Sequence, residues 1–134
     1  MSILLKFYTF DRKGWRWLLS FSCTLASFIK TGKINFFKYD KKNKRWFQFH
    51  NKTCFFVDKK PDWNIDVEFL YKRTSEFCLK QYSPTPNDII IDIGAGVGTE
   101  TFVFSKIANQ GKIYAIEAHP ETYFSLKLLK EKSK

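Results

Sequence analysis

One stretch, Asn87-Asp88-Ile89-Ile90-Ile91-Asp92-Ile93-Gly94-Ala95-Gly96-Val97-Gly98-Thr99-Glu100, constrains the fold more than any other part of the chain. Four of residues 88–93 are isoleucine, and the stretch reads as a strand buried on both faces. Three glycines follow at alternate positions, and residues 99–109 read as a helix. Gly111 marks a turn, residues 112–117 read as a second buried strand, and "PETYFSLKLLKEK" reads as a second helix. Pro120 stands at its first position, where a missing N–H costs nothing. Strand, helix, strand, helix with continuous apolar strands predicts an α/β fold: a parallel sheet with crossover helices.

The glycine loop carries the chemistry. Glycine turns sharply and lets a ligand approach without meeting a Cβ. The free N–H groups at the start of the next helix suit a carboxylate or a phosphate. Ligands of open α/β sheets bind at the carboxyl ends of the strands, where this loop lies. A dinucleotide fingerprint, G-x-G-x-x-G, started at Gly94 and Gly96 would need its third glycine at Thr99, so that match fails. The spacing acid-x-G-x-G-x-G is filled completely by Asp92, Gly94, Gly96 and Gly98. Glu117 ends the second strand 23 positions beyond Gly94. A carboxylate there can accept both hydroxyls of a ribose.

The acid-x-G-x-G-x-G pattern resembles motif I of Rossmann-like S-adenosylmethionine (SAM) methyltransferases. Residues 84–129, which include "PNDIIIDIGAGVGTETFVFSKIANQGKIYAIEAHPETYFSLKLL", resemble the opening of the FkbM family of methyltransferases. Asp88, Asp92, Gly94, Ala95, Gly98, Glu117 and Pro120 match the family pattern, while Ala118 and His119 depart from its usual Pro-x. The resemblance covers about a third of the chain. It implies a Rossmann-like sheet of about seven strands, with SAM held by Asp92, Gly94, Ala95, Gly96, Gly98, Glu117 and Ala118. It implies methyl transfer to a hydroxyl of a small-molecule or glycan acceptor. Asp92 would order the glycine loop and the amino-acid end of the cofactor. No residue is nominated as general base, because in this fold the base comes from loops after later strands.

Only two such strands follow residue 87. A circular permutation would place the others upstream, but Ser83-Pro84-Thr85-Pro86 lacks the amide and the aromatic residue of the permuted enzymes' motif. The expectation is therefore the front part of a methyltransferase, with strand 88–93 missing a neighbour and no independent catalysis. Two alternatives of other classes are a basic aromatic module that binds nucleic acid or a membrane surface, and a fragment of a nicotinamide-dependent oxidoreductase.

The basic module is suggested by the N-terminal part. Residues 1–87 hold 17 Lys+Arg against 7 Asp+Glu, and residues 88–134 hold 6 of each, so the net charge of +10 lies wholly in the first part. Such asymmetry suits a polyanion partner. The simpler reading is the lysine-rich composition of an AT-rich coding sequence. Residues 15–29, "WRWLLSFSCTLASFI", are too short to span a bilayer, which takes about 20 apolar residues. Trp15, Leu18, Leu19, Leu25, Ala26 and Ile29 share one helical face and Trp17, Phe21 and Phe28 the other. A helix apolar all round is buried or meets lipid. A buried helix is expected, with membrane-surface contact or a signal segment as alternatives.

Residues 33–58 read as three strands, "INFFKYD", "RWFQFHN" and "TCFFVD". Phe47 and Phe49 alternate with Trp46, Gln48 and His50, which predicts one apolar face. A sheet core is expected here rather than a base-stacking platform, so nucleic acid is disfavoured. Asp62 is a candidate cap for a helix over about 65–81, which the prolines of "SPTPND" end. These breaks suggest a basic aromatic region over 1–60, a helix and linker over 61–87, and a cofactor-binding part over 88–134. Cys23, Cys54 and Cys78 are odd in number and in no CxxC pair, which fits reduced thiols in a cytoplasm and no zinc site. His50 and His119 are far apart in sequence and suggest no metal or catalytic cluster.

Overall fold

A computed structural model describes residues 14–133. The described chain is a mixed α/β structure with one small antiparallel sheet and one two-stranded parallel sheet. Its elements are α1 (Arg16–Thr31), β1 (Phe36–Asp40), β2 (Arg45–His50), β3 (Thr53–Asp58), α2 (Val67–Phe77), β4 (Ile89–Ile93), α3 (Thr99–Ile107), β5 (Lys112–Ile116) and α4 (Pro120–Lys132).

The strands β1, β2 and β3 make an antiparallel meander. The Asp40 carboxylate closes the first turn by accepting from the Lys42 N–H at 2.9 Å and from Asn43 Nδ2 at 2.7 Å. The second turn is a tight two-residue loop in which Asn51 and Lys52 both have positive φ (47° and 68°), the twist that joins neighbouring strands without splaying them.

The alternation in β2 predicts one buried face, yet both faces are buried. The cause is a helix on each side. Leu19 and Cys23 of α1 pack with Phe37 and Trp46 on one side. On the other, Phe47, Phe55 and Val57 join Leu70 of α2, Phe102 and Val103 of α3, and Leu128 and Leu129 of α4 in a single core. That core crosses the boundary suggested at residues 61–87. A buried arginine strengthens the crossing. Arg45 of β2 donates from Nε to Ser125 Oγ at 3.0 Å and from Nη2 to Glu121 Oε2 at 2.7 Å, both on α4.

Helix α1 departs from the expected buried helix. Only Leu19, Cys23 and Ser27, spaced four apart, are buried. Of the two faces read from sequence, only Leu19 is in this stripe; Leu18 is half-buried, and Trp15, Trp17, Phe21, Leu25, Phe28 and Ile29 are exposed. Cys23 and Ser27, the small residues of this stripe, let the helix sit close to β1, where Ser20 Oγ donates to the Phe37 carbonyl. Inside the contact, Asn35 Nδ2 donates to Ser27 Oγ at 2.8 Å.

Helix α2 starts at Val67 and is capped by Asp66, whose carboxylate accepts from the Phe69 N–H at 2.7 Å. Asp62, the expected cap, instead accepts from the Asn64 N–H at 2.9 Å in the preceding turn. The helix ends at Phe77, four residues short of the expectation, where the N–H groups of Cys78 and Leu79 both close on the Thr74 carbonyl. Thr85 and Tyr82 of the proline linker are tied down by the Asp88 carboxylate.

Strands β4 and β5 pair in parallel, with Ile89 opposite Lys112 and Ile93 opposite Ile116. Gly111 admits this pairing because a Cβ there would lie 1.9 Å from the Asp88 carbonyl oxygen. The expected burial on both faces is not found. Ile90, Asp92, Ile113 and Ala115 lie on the more buried face. Ile89, Ile91, Ile93, Tyr114 and Ile116 on the other are more than half exposed. Among the described residues, each strand also has one unpaired edge.

Candidate functional site

The glycine loop joins β4 to α3 at the carboxyl end of the parallel pair. Its path is set by the neighbouring strand. The N–H groups of Gly94 and Ala95 both donate to the Ile116 carbonyl, at 2.9 and 3.0 Å, and Gly98 N–H donates back to Ala95 at 2.9 Å. Gly94, Gly96 and Gly98 all have positive φ (76°, 58° and 93°), so the alternating glycines answer a backbone requirement. Ala95 between them is buried.

The three glycines differ in what surrounds them. A Cβ on Gly94 or Gly96 would meet nothing within 4 Å, so both face open space. A Cβ on Gly98 would lie 2.6 Å from Leu126 Cδ1 and 3.0 Å from Leu129 Cδ2 of α4. Gly98 therefore serves helix packing, while Gly94 and Gly96 leave an accessible backbone. Gly98 is also the N-cap of α3, and the first helical bond is Phe102 N–H to Gly98 O. The N–H groups of residues 99–101 thus precede the intrahelical ladder, and the positive end of the helix points toward the loop.

Glu117 is brought to this loop, as its position in sequence suggests. Its Oε2 accepts from the Gly96 N–H at 2.8 Å, and its Oε1 accepts from the His119 N–H at 2.7 Å. These bonds from His119 and Gly96 hold its carboxyl below the usual glutamate range, so it stays ionised at neutral pH. A carboxylate has about four lone-pair positions, so two backbone donors leave capacity for two more. Ala118 follows on the exposed surface, and His119 caps α4 by accepting from the Thr122 N–H through its side chain.

Asp92 stands near the end of β4, just before the loop. Its side chain is on the helix-facing side of β4, where Oδ2 accepts from Thr101 Oγ1 of α3. The alternation of a strand explains this: Asp92 shares a face with Ile90, opposite Ile91 and Ile93. The bond ties β4 to α3 behind the loop.

A cation that sequence reasoning missed stands beside the loop. Arg73 of α2 donates from Nε to Glu100 Oε1 at 3.1 Å and from Nη2 to Thr99 Oγ1 at 3.3 Å, at the first turn of α3. Burial raises the Glu100 pKa, and the hydrogen bonds from Arg73 and Thr99 outweigh it, so the group titrates below its ordinary value. Nothing in the spacing of Arg73 and Glu100 betrays the contact, which depends on how α2 packs on α3.

A cavity of about 500 Å³ lies between α3, α4 and β5, lined by Thr101, Phe102, Ile113, Ala115, Tyr123 and Leu126 among others. It reaches the loop only at Gly98; Gly94, Gly96 and Glu117 are not part of its lining. The loop face and the cavity are thus separate features. The loop presents accessible backbone and a carboxylate, whereas the cavity is bordered by α3, α4 and the helix-facing Ile113 and Ala115 of β5. His50 is held by Asn35 and Asn51 within the antiparallel sheet and has no link to the loop. No group of His, Cys, Asp and Glu among the described residues could hold a metal ion. No family model, curated protein or solved structure matches the chain.

Proposed function

We propose that this chain carries the cofactor half-site of a SAM-dependent methyltransferase of the FkbM type, in which the parallel pair begins a larger Rossmann-like sheet. The observation that carries this reading is the pairing of Glu117 with the glycine loop: an ionised carboxylate at the end of β5, bonded to the Gly96 N–H, beside two glycines open to solvent. In such a site Gly94 and Gly96 admit the cofactor against bare backbone. Glu117 uses its remaining lone pairs on the ribose hydroxyls, and the orphan N–H groups of α3 face the cofactor's carboxylate. Ala95, Gly98 and Asp92 hold the loop's shape from behind, and Ala118 borders the adenine edge.

SAM brings its own leaving group, a sulfonium, so the protein's main tasks are to position and desolvate a hydroxyl acceptor on a small molecule or glycan. The uncovered Ile89, Ile91, Ile93, Tyr114 and Ile116 face and the open strand edges fit this reading, because a fuller sheet buries both. A nicotinamide site is less well supported. Thr99, where a third glycine would be needed, is buried and engaged by Arg73.

Calorimetry of the chain with SAM, its demethylated product and NADH tests the proposal. SAM and its product are expected to bind in competition, with the Glu117→Ala variant weakened by roughly tenfold or more. NADH binding with no SAM signal overturns it.

A further inference from the structure

No helix among the described residues is long and apolar enough to cross a membrane. A charge arrangement outside the contacts of the proposed site lies at the start of α3. Glu100 is the second residue of that helix, directly after the glycine loop. Its side chain is only 24% exposed. Oε1 accepts from Arg73 Nε at 3.1 Å and again from Arg73 Nη2, and Oε2 accepts from Thr99 Oγ1. Burial raises its pKa, but the bonds from Arg73, from Thr99 and from its own backbone N–H outweigh burial, so the group is anionic at neutral pH.

An acidic residue in the first turn of a helix is ordinary, because it meets the positive end of the helix dipole. Here it has a second consequence. The start of a helix behind a glycine loop is where a ligand's phosphate binds, on free N–H groups and that same positive end. At α3 a carboxylate of the chain already engages one of those N–H groups, the Thr99 hydroxyl and the Arg73 guanidinium. Two more carboxylates lie close by, Glu117 on the Gly96 N–H and Asp92 on the Thr101 hydroxyl. Three carboxylates therefore border the loop against the one guanidinium of Arg73. His119 spends a ring nitrogen on Thr122, and Lys127 and Lys130 border the separate cavity, which meets the loop only at Gly98. The field at the loop is negative.

We propose that Glu100 is a specificity-determining residue of the glycine loop, one that turns away phosphate-bearing nucleotides and favours a nucleoside cofactor of net positive charge. This selection presupposes that the loop is a SAM half-site, as proposed above. SAM carries a sulfonium and an ammonium against a single carboxylate, so it is net cationic. Its demethylated product is net neutral, and ADP and NADH are anionic. A negative field ranks them in that order. Arg73 holds Glu100 in place and offsets enough of its charge for the cofactor's own carboxylate to approach the remaining N–H groups of α3.

Calorimetric titration of the chain with SAM, its demethylated product and ADP tests this. Wild type should bind SAM most tightly and ADP least. Glu100→Gln keeps the size and hydrogen-bonding capacity of the side chain and removes its charge. It should tighten ADP and weaken SAM, each by roughly three- to tenfold, the effect of one charge several ångströms away in a partly exposed site. Glu100→Asp, which keeps the charge, should retain the wild-type ranking. Raising salt severalfold should narrow the wild-type gap between SAM and ADP. A purely structural role for Glu100 would weaken all three ligands together in Glu100→Gln. SAM binding by wild type with an unchanged SAM-to-ADP ratio in that variant therefore overturns this role and leaves the SAM reading standing. Absence of any nucleoside binding by wild type overturns both. Should Glu100→Gln fail to fold, the wild-type salt response decides: a gap that does not narrow overturns the role of Glu100.

Discussion

Gly98 and Gly96 sit two residues apart in one loop, and the structure assigns them different work. Alanine at either must adopt a left-handed conformation, which costs about 1–2 kcal/mol. At Gly96, with φ of 58° close to the centre of that region, the cost ends there, because a Cβ meets nothing within 4 Å. At Gly98 the Cβ falls 2.6 Å from Leu126 Cδ1, about 1 Å inside a comfortable carbon–carbon contact. Leu126 and Leu129 are buried, but they also line the cavity beside β5, so they can retreat part of the way. Overpacking at the low end of its usual range adds about 1–2 kcal/mol. Gly98→Ala is therefore expected to cost about 2–4 kcal/mol and Gly96→Ala about 1–2 kcal/mol. Urea unfolding followed by tryptophan fluorescence, with fully buried Trp46 as the main reporter, measures both. Equal losses at the two positions, or a larger loss at Gly96, would show that α4 does not press on the loop as described. The same pair should reverse in ligand binding, since Gly96 and not Gly98 faces open space.

Three more expectations concern the scaffold. Arg45→Met should destabilise by about 2–4 kcal/mol in denaturant titrations, because it strips a buried donor from Ser125 and unties β2 from α4. A loss under about 0.5 kcal/mol would mean that the apolar core alone docks the two parts. Glu100 has a folded pKa below its ordinary 4.5, so its pairing adds stability above that value and loses it as pH falls through the lower folded value. Arg73→Met should flatten that acid limb in pH-dependent melts; an unchanged limb would place the stabilisation elsewhere. Burial pushes the thiols of Cys23 and Cys54 up to about 12 and about 11, with Asp62 adding to the first, whereas Cys78 is exposed. Alkylation of the native protein at mildly basic pH should label Cys78 first, with Cys23 and Cys54 following only on unfolding; early labelling of Cys23 would contradict the packing of α1.

The sequence by itself determined the elements whose signals are local. Three aromatic strands, the α2 helix, and the strand–loop–helix order around Gly94, Gly96 and Gly98 follow from period, glycine spacing and proline placement, because those act within a few residues. The meeting of Glu117 with the loop was also legible, since parallel pairing of two strands through one helix brings their carboxyl ends side by side. Tertiary structure decided what local signals cannot carry. Asp66 rather than Asp62 caps α2, because the chain turns at Asp62 before the helix begins. Asp92 faces Thr101 and not the open face of β4, because a strand's alternation fixes the side chain once α3 has chosen its face. Arg73 reaches Glu100, and Arg45 reaches Ser125, across 27 and 80 residues, distances over which sequence spacing holds no information. The same holds for the two apolar surfaces. An apolar run in α1 or β4 states that a side chain avoids water, but only the arrangement of neighbouring layers decides which faces are covered, and here the outer faces of both are left open.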